Sequence, residues 1–217
     1  MRLSPFAQPY PAMSESDWRD LRSPLFAINT LKLNFPDRKA RLFACGLARS
    51  VWPFLGDERS HRAVIVSEKH ADGLASDQEL RIAHECGSQC VRGLASELAM
   101  CSTEYLAWDA AVLAILAIED IVAGKDHLQK FVHPIPLLRD IFGNPFRPLT
   151  TDPNWLTSTV VAIARGVYEE RAFYRLPLLA DSLQDAGCEY AQILDHCRGP
   201  GPHVRGCWVI DQLLGKS

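Results

Sequence analysis

Apolar residues recur every three or four positions along most of this chain, and the alternation typical of strands is scarce. In the segment 37–55, for example, Leu42, Cys45 and Trp52 share one face of a predicted helix. Three basic residues of the same helix are expected to lie largely outward: Arg38, Arg41 and Arg49. The pattern predicts an all-α fold, a multi-helix orthogonal bundle of about eight to ten helices with no significant β-sheet.

Polar residues mark the start of several predicted helices. Ser14 is followed three positions later by Asp17, and Ser76 by Glu79. This is the spacing of a capping box, in which each side chain accepts a hydrogen bond from the other residue's backbone N–H group. From Ser76 we predict one long helix whose apolar positions stay in register as far as Leu98.

Two helical regions are predicted on either side of a polar, proline-bearing segment, GKDHLQKFVHPIP. They cover residues 13–124 and 134–217, and we expect them to pack as one unit. Residues 1–12 carry three prolines and no helical pattern, so they are predicted to be a disordered tail, with a natural translation start at Met13.

Composition narrows the classes of function. The chain is 47% hydrophobic and 23% charged, as ordinary globular proteins are, and its net charge of −3 favours neither nucleic acid nor an anionic membrane as a partner. The longest apolar run, 110–118, is far shorter than the roughly 20 residues of a membrane span. Seven irregularly spaced cysteines, an odd number, indicate free thiols and a cytoplasmic location.

Several strings in the chain resemble those of one protein family. They are LLRDIFGNPFRP, RLPLLADSLQDAGC and HCRGPGPHVRGCWVIDQLLGK in the C-terminal half, with DRKARLFACGLARSVW and ADGLASDQELR in the N-terminal half. Together they resemble a family of all-helical proteins abundant in planctomycete-type bacteria, over most of 13–217 and more weakly over 86–133. The resemblance implies a helical bacterial protein and no particular activity. That family often has a cysteine-rich run where this chain keeps only Cys45, which argues against a metal cluster there.

The segment 196–208, HCRGPGPHVRGCW, concentrates the candidate chemistry. A last helix is predicted over 202–214 with Pro202 as its first residue, so the Gly-Pro steps before it form a rigid corner. Four side chains are of types that ligate zinc: His196, Cys197, His203 and Cys207. On helices His203 and Cys207 would share a face, but the adjacent His196 and Cys197 would point about 100° apart. We therefore favour the corner and predict no metal or other cofactor, with structural zinc as an alternative.

A polar pocket between the segments 139–147 and 203–211 is the other candidate site. Its predicted lining residues are Arg139, Asn144, Arg147, His203, Arg205 and Asp211. The favoured alternative is that the arginines bind exposed backbone carbonyls near the Gly- and Pro-rich joints. On the predicted last helix Asp211 falls in an apolar arc, so we expect it to be buried against Arg139, Arg147 or a helix N-terminus.

These patterns favour a non-catalytic interaction or scaffold module that binds another protein. A small-ligand or anion-binding protein, or an enzyme using the polar pocket, is the first alternative, and a structural zinc protein is the second. A cysteine hydrolase built from Cys207, His203 and Asp211 is less favoured because apolar residues surround the thiol in sequence.

Overall fold

A computed structural model describes residues 12–32, 34–89, 93–123 and 130–216. Within these ranges the chain forms twelve α-helices and no strand, which confirms the all-helical prediction and exceeds the expected number of helices. The helices are α1 Glu15–Arg19, α2 Pro24–Leu31, α3 Asp37–Ser50, α4 Glu58–Ala71, α5 Asp77–Ser88, α6 Leu94–Cys101, α7 Ala107–Ala123, α8 Pro134–Phe142, α9 Ser158–Glu170, α10 Leu176–Asp185, α11 Ala191–Arg198 and α12 Trp208–Leu213. The predicted tail lies outside the described residues except for Ala12, which is exposed.

Both predicted capping boxes are present. The Ser14 hydroxyl accepts from the Asp17 N–H at 3.2 Å, and the Ser76 hydroxyl accepts from the Glu79 N–H at the same distance. The long helix predicted from Ser76 is instead two helices, because α5 ends at Ser88 and α6 begins after the extended backbone of Gly93. This division accounts for part of the larger helix count.

The first apolar core is built around α3, which packs against α4, α6, α7 and α8. Ten consecutive residues of α3, 39–48, are buried, so this helix has no fully solvent-facing side in its middle. The expectation that its arginines lie outward is therefore wrong. Arg41 is buried and donates to the carbonyls of Ser102, Glu104 and Tyr105, while Arg38 and Arg49 are mostly covered.

Helix α7 carries the longest apolar run of the chain, and this run packs inside the first core. Ala110, Ala111, Ala114 and Ile115 are each 0% exposed. Small residues at helical spacing let α7 lie close against α3. Among the helices that the structure describes, none has both the length and the apolar character needed to cross a membrane.

A second apolar core is formed by α9 to α12 and includes the buried Val160, Ala164 and Val167 of α9. Helix α8 packs its Leu138 and Ile141 into the first core, although the sequence pattern groups it with the C-terminal region. The two apolar cores thus divide the chain between α8 and α9.

A layer of polar side chains, here called the polar interface, lies between the two cores. From helices α3, α4 and α8 and the C-cap of α4 it contains Arg38, Lys39, Arg49, Glu68, Asp72 and Asp140, and from the chain after α8 Tyr168, Arg171, His196, His203, Arg205, Cys207 and Asp211. Buried charges are tolerated only when they are paired or hydrogen-bonded, so these contacts fix how the two cores meet.

The last helix is much shorter than predicted. It runs over Trp208–Leu213, and residues 199–207 are irregular rather than helical. Gly206 has a φ of +97°, and a Cβ atom on it would lie 3.0–3.1 Å from the Leu42 side chain. Because the segment passes this close to α3, it cannot take up the helical path that Pro202 favours locally.

A candidate metal centre between the two cores

Four side chains of metal-ligating types meet in the polar interface: Asp140, His196, His203 and Cys207. Each offers one ligand atom, and the four atoms all lie within 4.8 Å of one another. Asp140 belongs to α8 of the first core, whereas the other three come from α11, the irregular segment and the N-cap of α12. The cluster therefore joins the two cores at one point.

The Asp140 carboxylate is the hub of the cluster. Its Oδ1 atom is 2.7 Å from His203 Nδ1 and 3.2 Å from His196 Nε2. Its Oδ2 atom accepts the backbone N–H of Val204 at 3.0 Å. The Cys207 Sγ atom is 3.2 Å from His196 Nε2, which completes the group.

Protonation of the cluster follows from burial and from these contacts. Asp140 is 2% exposed, and burial would raise the pKa of its carboxyl group. Hydrogen bonds from His196 and His203 outweigh burial and hold the pKa of Asp140 below its usual value. Burial acts to lower the pKa of His203, but the hydrogen bond and charge of Asp140 raise it overall. Asp140 is therefore an anion at neutral pH.

Cys207 is 0% exposed, and burial raises the pKa of its thiol well above the usual value, with the negative charge of Asp140 adding to the shift. A thiol in this setting is a poor free nucleophile. The cysteine-hydrolase geometry is not formed either, because Asp211 bonds Arg38 and Lys39 rather than His203. A bound metal is the partner that would convert this thiol to a thiolate.

The outward nitrogens of the two histidines have different partners. His203 Nε2 is 3.3 Å from the Gly199 carbonyl, the kind of acceptor that orients a metal-bound imidazole. His196 Nδ1 accepts from the Trp208 indole N–H at 3.3 Å, which places the proton of a neutral His196 ring on Nε2. Metal binding through His196 Nε2 therefore requires this proton to be displaced and the contact with Trp208 to loosen.

Three of the four zinc candidates from the sequence meet in this cluster, and Cys197 does not join them. Cys197 is buried in the second core, where burial raises the pKa of its thiol to about 12. Because only His196 of the adjacent pair is needed, the objection that His196 and Cys197 diverge does not apply. Asp140 was missed in the sequence, where the one available signal is an acid within the apolar run LLRDIF.

The residues of the predicted polar pocket are divided between two cavities. Asn144, Arg147 and Asp211 line a cavity of about 210 Å³, and His203 and Arg205 line a second one of about 300 Å³. Arg139 lies along neither and instead donates to the backbone carbonyls of Trp18 and Arg19.

Local partners of these residues are largely structural. Arg147 pairs with Glu15 at 2.5 Å, and the Asn144 side chain accepts the Phe146 N–H at 3.0 Å. Arg205 donates to the Tyr168 carbonyl at 3.4 Å. Arg139 and Arg205 thus bind backbone carbonyls, but these belong to α1 and α9 rather than to the Gly- and Pro-rich joints.

Asp211 is 1% exposed and contacts an arginine, which confirms its predicted burial and kind of partner, but the arginine is Arg38 rather than Arg139 or Arg147. Its two oxygens accept from Arg38 Nη1 at 2.7 Å and Nη2 at 3.0 Å, and from Lys39 Nζ at 2.6 Å. Arg139 and Arg147 are not involved, because α12 places Asp211 against the first turn of α3. A separation of more than 170 residues hid these partners in the sequence.

Arg38 also connects Asp211 to a second buried carboxylate, Asp72. Arg38 Nε is 3.1 Å from Asp72, and the Tyr168 hydroxyl donates to the same carboxylate at 2.6 Å. Burial, with the hydrogen bond to Asp72, raises the pKa of Tyr168, so its hydroxyl stays protonated. We call Arg38, Lys39, Asp72, Tyr168 and Asp211 the charged cluster.

Comparisons of the chain with protein-family models, with curated proteins and with solved structures find no match. Function is therefore inferred from the side chains of the polar interface.

Proposed function

We propose that the chain is a non-catalytic, zinc-binding helical scaffold, in which Asp140, His196, His203 and Cys207 hold one Zn²⁺ ion that fixes the two cores together. The observation that carries the proposal is that these four ligand atoms, which come from both cores, all lie within 4.8 Å of one another. Two imidazoles, a thiol and a carboxylate are all ligand types that zinc accepts.

The spacing of the four atoms suits a tetrahedral ion. Zinc bond lengths in a tetrahedron separate ligand atoms by about 3.4–3.7 Å. The shortest separation in the cluster is 2.7 Å, between Asp140 and His203, and the widest is at most 4.8 Å. A shift of about 1 Å in a few side chains therefore brings the four atoms to zinc-binding distances.

A structural role is favoured over a catalytic one. Catalytic zinc sites keep a coordination position open for water or substrate, whereas structural sites fill all four with protein ligands. Here four protein ligands are available, and even the most exposed, His196, has a side chain only 18% exposed. The ion would tie α8 to α11 and α12, so its binding energy would hold the two cores together.

Two cysteine variants test the proposal by a matched comparison. The full chain, equilibrated with zinc and then desalted, is expected to carry one equivalent by elemental analysis. Cys207→Ser should lose the zinc, and Cys197→Ser should keep it, because both thiols are fully buried in the second core and only one belongs to the cluster. Equal zinc content in the two folded variants, or no zinc in the parent, would contradict the proposal.

As a scaffold, the chain is proposed to bind another protein in the cytoplasm of a bacterium. Five buried cysteines, Cys45, Cys101, Cys188, Cys197 and Cys207, are free thiols, which suits a reducing compartment. Affinity capture with the full chain from a planctomycete-type bacterium, quantified by mass spectrometry, is expected to yield a protein in stoichiometric amount. Loss of this partner with Cys207→Ser but not with Cys197→Ser supports a zinc-dependent scaffold, and recovery of the chain alone contradicts the interaction role.

A further inference from the structure

The cavity of about 300 Å³ lies where the C-terminal end of α3 faces the irregular segment 199–207. Its apolar lining comes from both halves of the chain and includes Leu42, Leu47, Leu137, Phe173 and Val204. The volume is at the small end of the range for ligand pockets, roughly 300–1,000 Å³. A cavity of this kind can enclose the hydrocarbon part of a small molecule.

Charges on the lining of this cavity do not balance. Three arginines, Arg49, Arg171 and Arg205, line it together with a single carboxylate, Glu68. Their side chains are 20%, 30% and 14% exposed, and that of Glu68 is 2% exposed. The three arginines and Glu68 together give the lining a net charge of +2, in surroundings that screen charge poorly.

Glu68 already has its two partners. Arg49 forms a two-pronged pair with it, at 3.0 Å from Nε and 2.8 Å from Nη2, and Arg171 Nη2 contacts the same carboxylate. Burial lowers the pKa of Arg171, and the charges of Arg49 and Arg205 act in the same direction while Glu68 opposes them.

Arg205 is the cation with the weakest pairing. Its nearest carboxylate contact is Asp72 at 3.6 Å, and Asp72 already binds Arg38 and Tyr168. Its Nε atom is buried and has no hydrogen-bond acceptor among the residues that the structure describes. A buried donor without an acceptor costs free energy, and a small turn of the Arg205 side chain toward the cavity would let an incoming anion accept from Nε.

We propose that this cavity is a binding site for a small amphipathic carboxylate, with the carboxylate held by Arg205 and its neighbouring arginines and the hydrocarbon part against Leu42, Leu137 and Phe173. Arginine binds carboxylates through paired, charge-assisted hydrogen bonds. The apolar lining excludes a bare inorganic anion as the preferred ligand, because such an ion would leave the walls uncovered. This proposal does not depend on zinc, because the arginines and apolar residues that would hold the ligand are not among the four metal ligands. Only His203 belongs to both sites.

Titration calorimetry with octanoate, 1-octanol and acetate separates the contribution of the carboxylate from that of the hydrocarbon chain. Octanoate is expected to bind with a Kd of about 0.1–1 mM, which is within the range for a ligand of this size. Octanol lacks the charge and acetate lacks the chain, so each should bind at least about tenfold more weakly. The titrations are run on the zinc-loaded and the chelator-treated full chain, and similar Kd values are expected, so that this site is tested separately from the metal.

Two variants test whether octanoate binds in this cavity. Arg205→Gln removes the unpaired donor and should weaken octanoate binding at least about tenfold. Ser50→Phe fills the cavity from α3 without changing any charge and should abolish binding. Arg175→Gln is the control, because Arg175 pairs with Glu170 outside the cavity and its loss should leave the Kd unchanged.

The proposal fails if octanoate does not bind the parent at 5 mM, about five times the weakest Kd expected for a ligand of this size. It also fails if octanol or acetate binds as tightly as octanoate, or if folded Ser50→Phe retains binding. Should Arg205→Gln prove unfolded by circular dichroism, the comparison of octanoate with octanol and the Ser50→Phe variant decide.

Discussion

Asp140 and Asp211 are two buried carboxylates in the same polar interface, and they differ in what surrounds them. Their exposed fractions are 2% and 1%. Asp211 is held by the guanidinium group of Arg38 and the ammonium group of Lys39. Asp140 is held by two histidines and a backbone N–H, with the Cys207 thiol beside them.

The partners of the two carboxylates differ in whether they can lose a proton. The guanidinium group of Arg38 keeps its proton in a folded protein, so its two contacts with Asp211 form a permanent ion pair. Imidazole and thiol groups can give up protons to a metal ion and become its ligands. Two sets of contacts between the same cores can thus behave differently. The contacts of Asp211 are fixed, and those of Asp140 depend on metal and pH.

Loss of the Asp211 carboxylate should have the largest effect on stability. Asp211→Ala leaves Arg38 and Lys39 buried without their main counter-charge, which should lower the free energy of unfolding by about 3–5 kcal/mol. Urea denaturation at pH 7 measures this, and the loss should be the same with zinc and with chelator. An alanine variant as stable as the parent would show that the ion pair does not hold the cores together.

Zinc bound at the Asp140 cluster should raise the free energy of unfolding by somewhat less than Asp211→Ala lowers it. At a free zinc concentration of 100 times the Kd, linkage gives about 2.7 kcal/mol, or a rise in Tm of about 5–11 °C for a chain of this size. Scanning calorimetry should show this rise in the parent and in a folded Asp211→Asn variant, and not in Cys207→Ser. Because the two carboxylates share no partner, the two effects should add within about 0.5 kcal/mol. A zinc-induced rise in Cys207→Ser would place the ion elsewhere.

Local signals in the sequence predicted much of the fold. The capping boxes at Ser14 and Ser76 depend on residues three positions apart, and both are present. The burial of Asp211 was also predictable, because an acid among apolar positions needs an enclosed partner. These features follow from chemistry within a few turns of the chain.

Features that depend on distant contacts were not predictable. The helix predicted from Pro202 fails because Gly206 packs against Leu42, which lies more than 160 residues earlier. Arg38 seemed to face outward because the carboxylates that cover it, Asp72 and Asp211, are remote in sequence. Asp140 lies 56 positions before His196, so no short motif reveals the four-ligand cluster.

The affinity for zinc should rise with pH. The pKa of the Cys207 thiol is raised by burial and that of His203 by Asp140, so both groups tend to hold protons that zinc must displace. Each displaced proton makes the affinity change about tenfold per pH unit. Between pH 6 and 8 we expect at least a tenfold rise per unit, steeper at the acidic end where His203 is also protonated. Chelator competition measures this dependence, and a flat profile would exclude a thiolate ligand.

The smallest effect we predict concerns Trp208, whose indole N–H donates to His196 Nδ1. Zinc binding through Nε2 places a proton on Nδ1, opposite that donor, so Trp208 stabilises the metal-free state over the bound one. Trp208→Phe should therefore tighten zinc binding about threefold, while the lost hydrogen bond destabilises the metal-free protein by about 0.5–1.5 kcal/mol. Trp155→Phe is the matched control, since this buried tryptophan of the second core packs on Tyr190 and not on His196. Weaker zinc binding in Trp208→Phe than in Trp155→Phe would mean that Trp208 supports the metal-bound state, and that His196 does not bind zinc through Nε2.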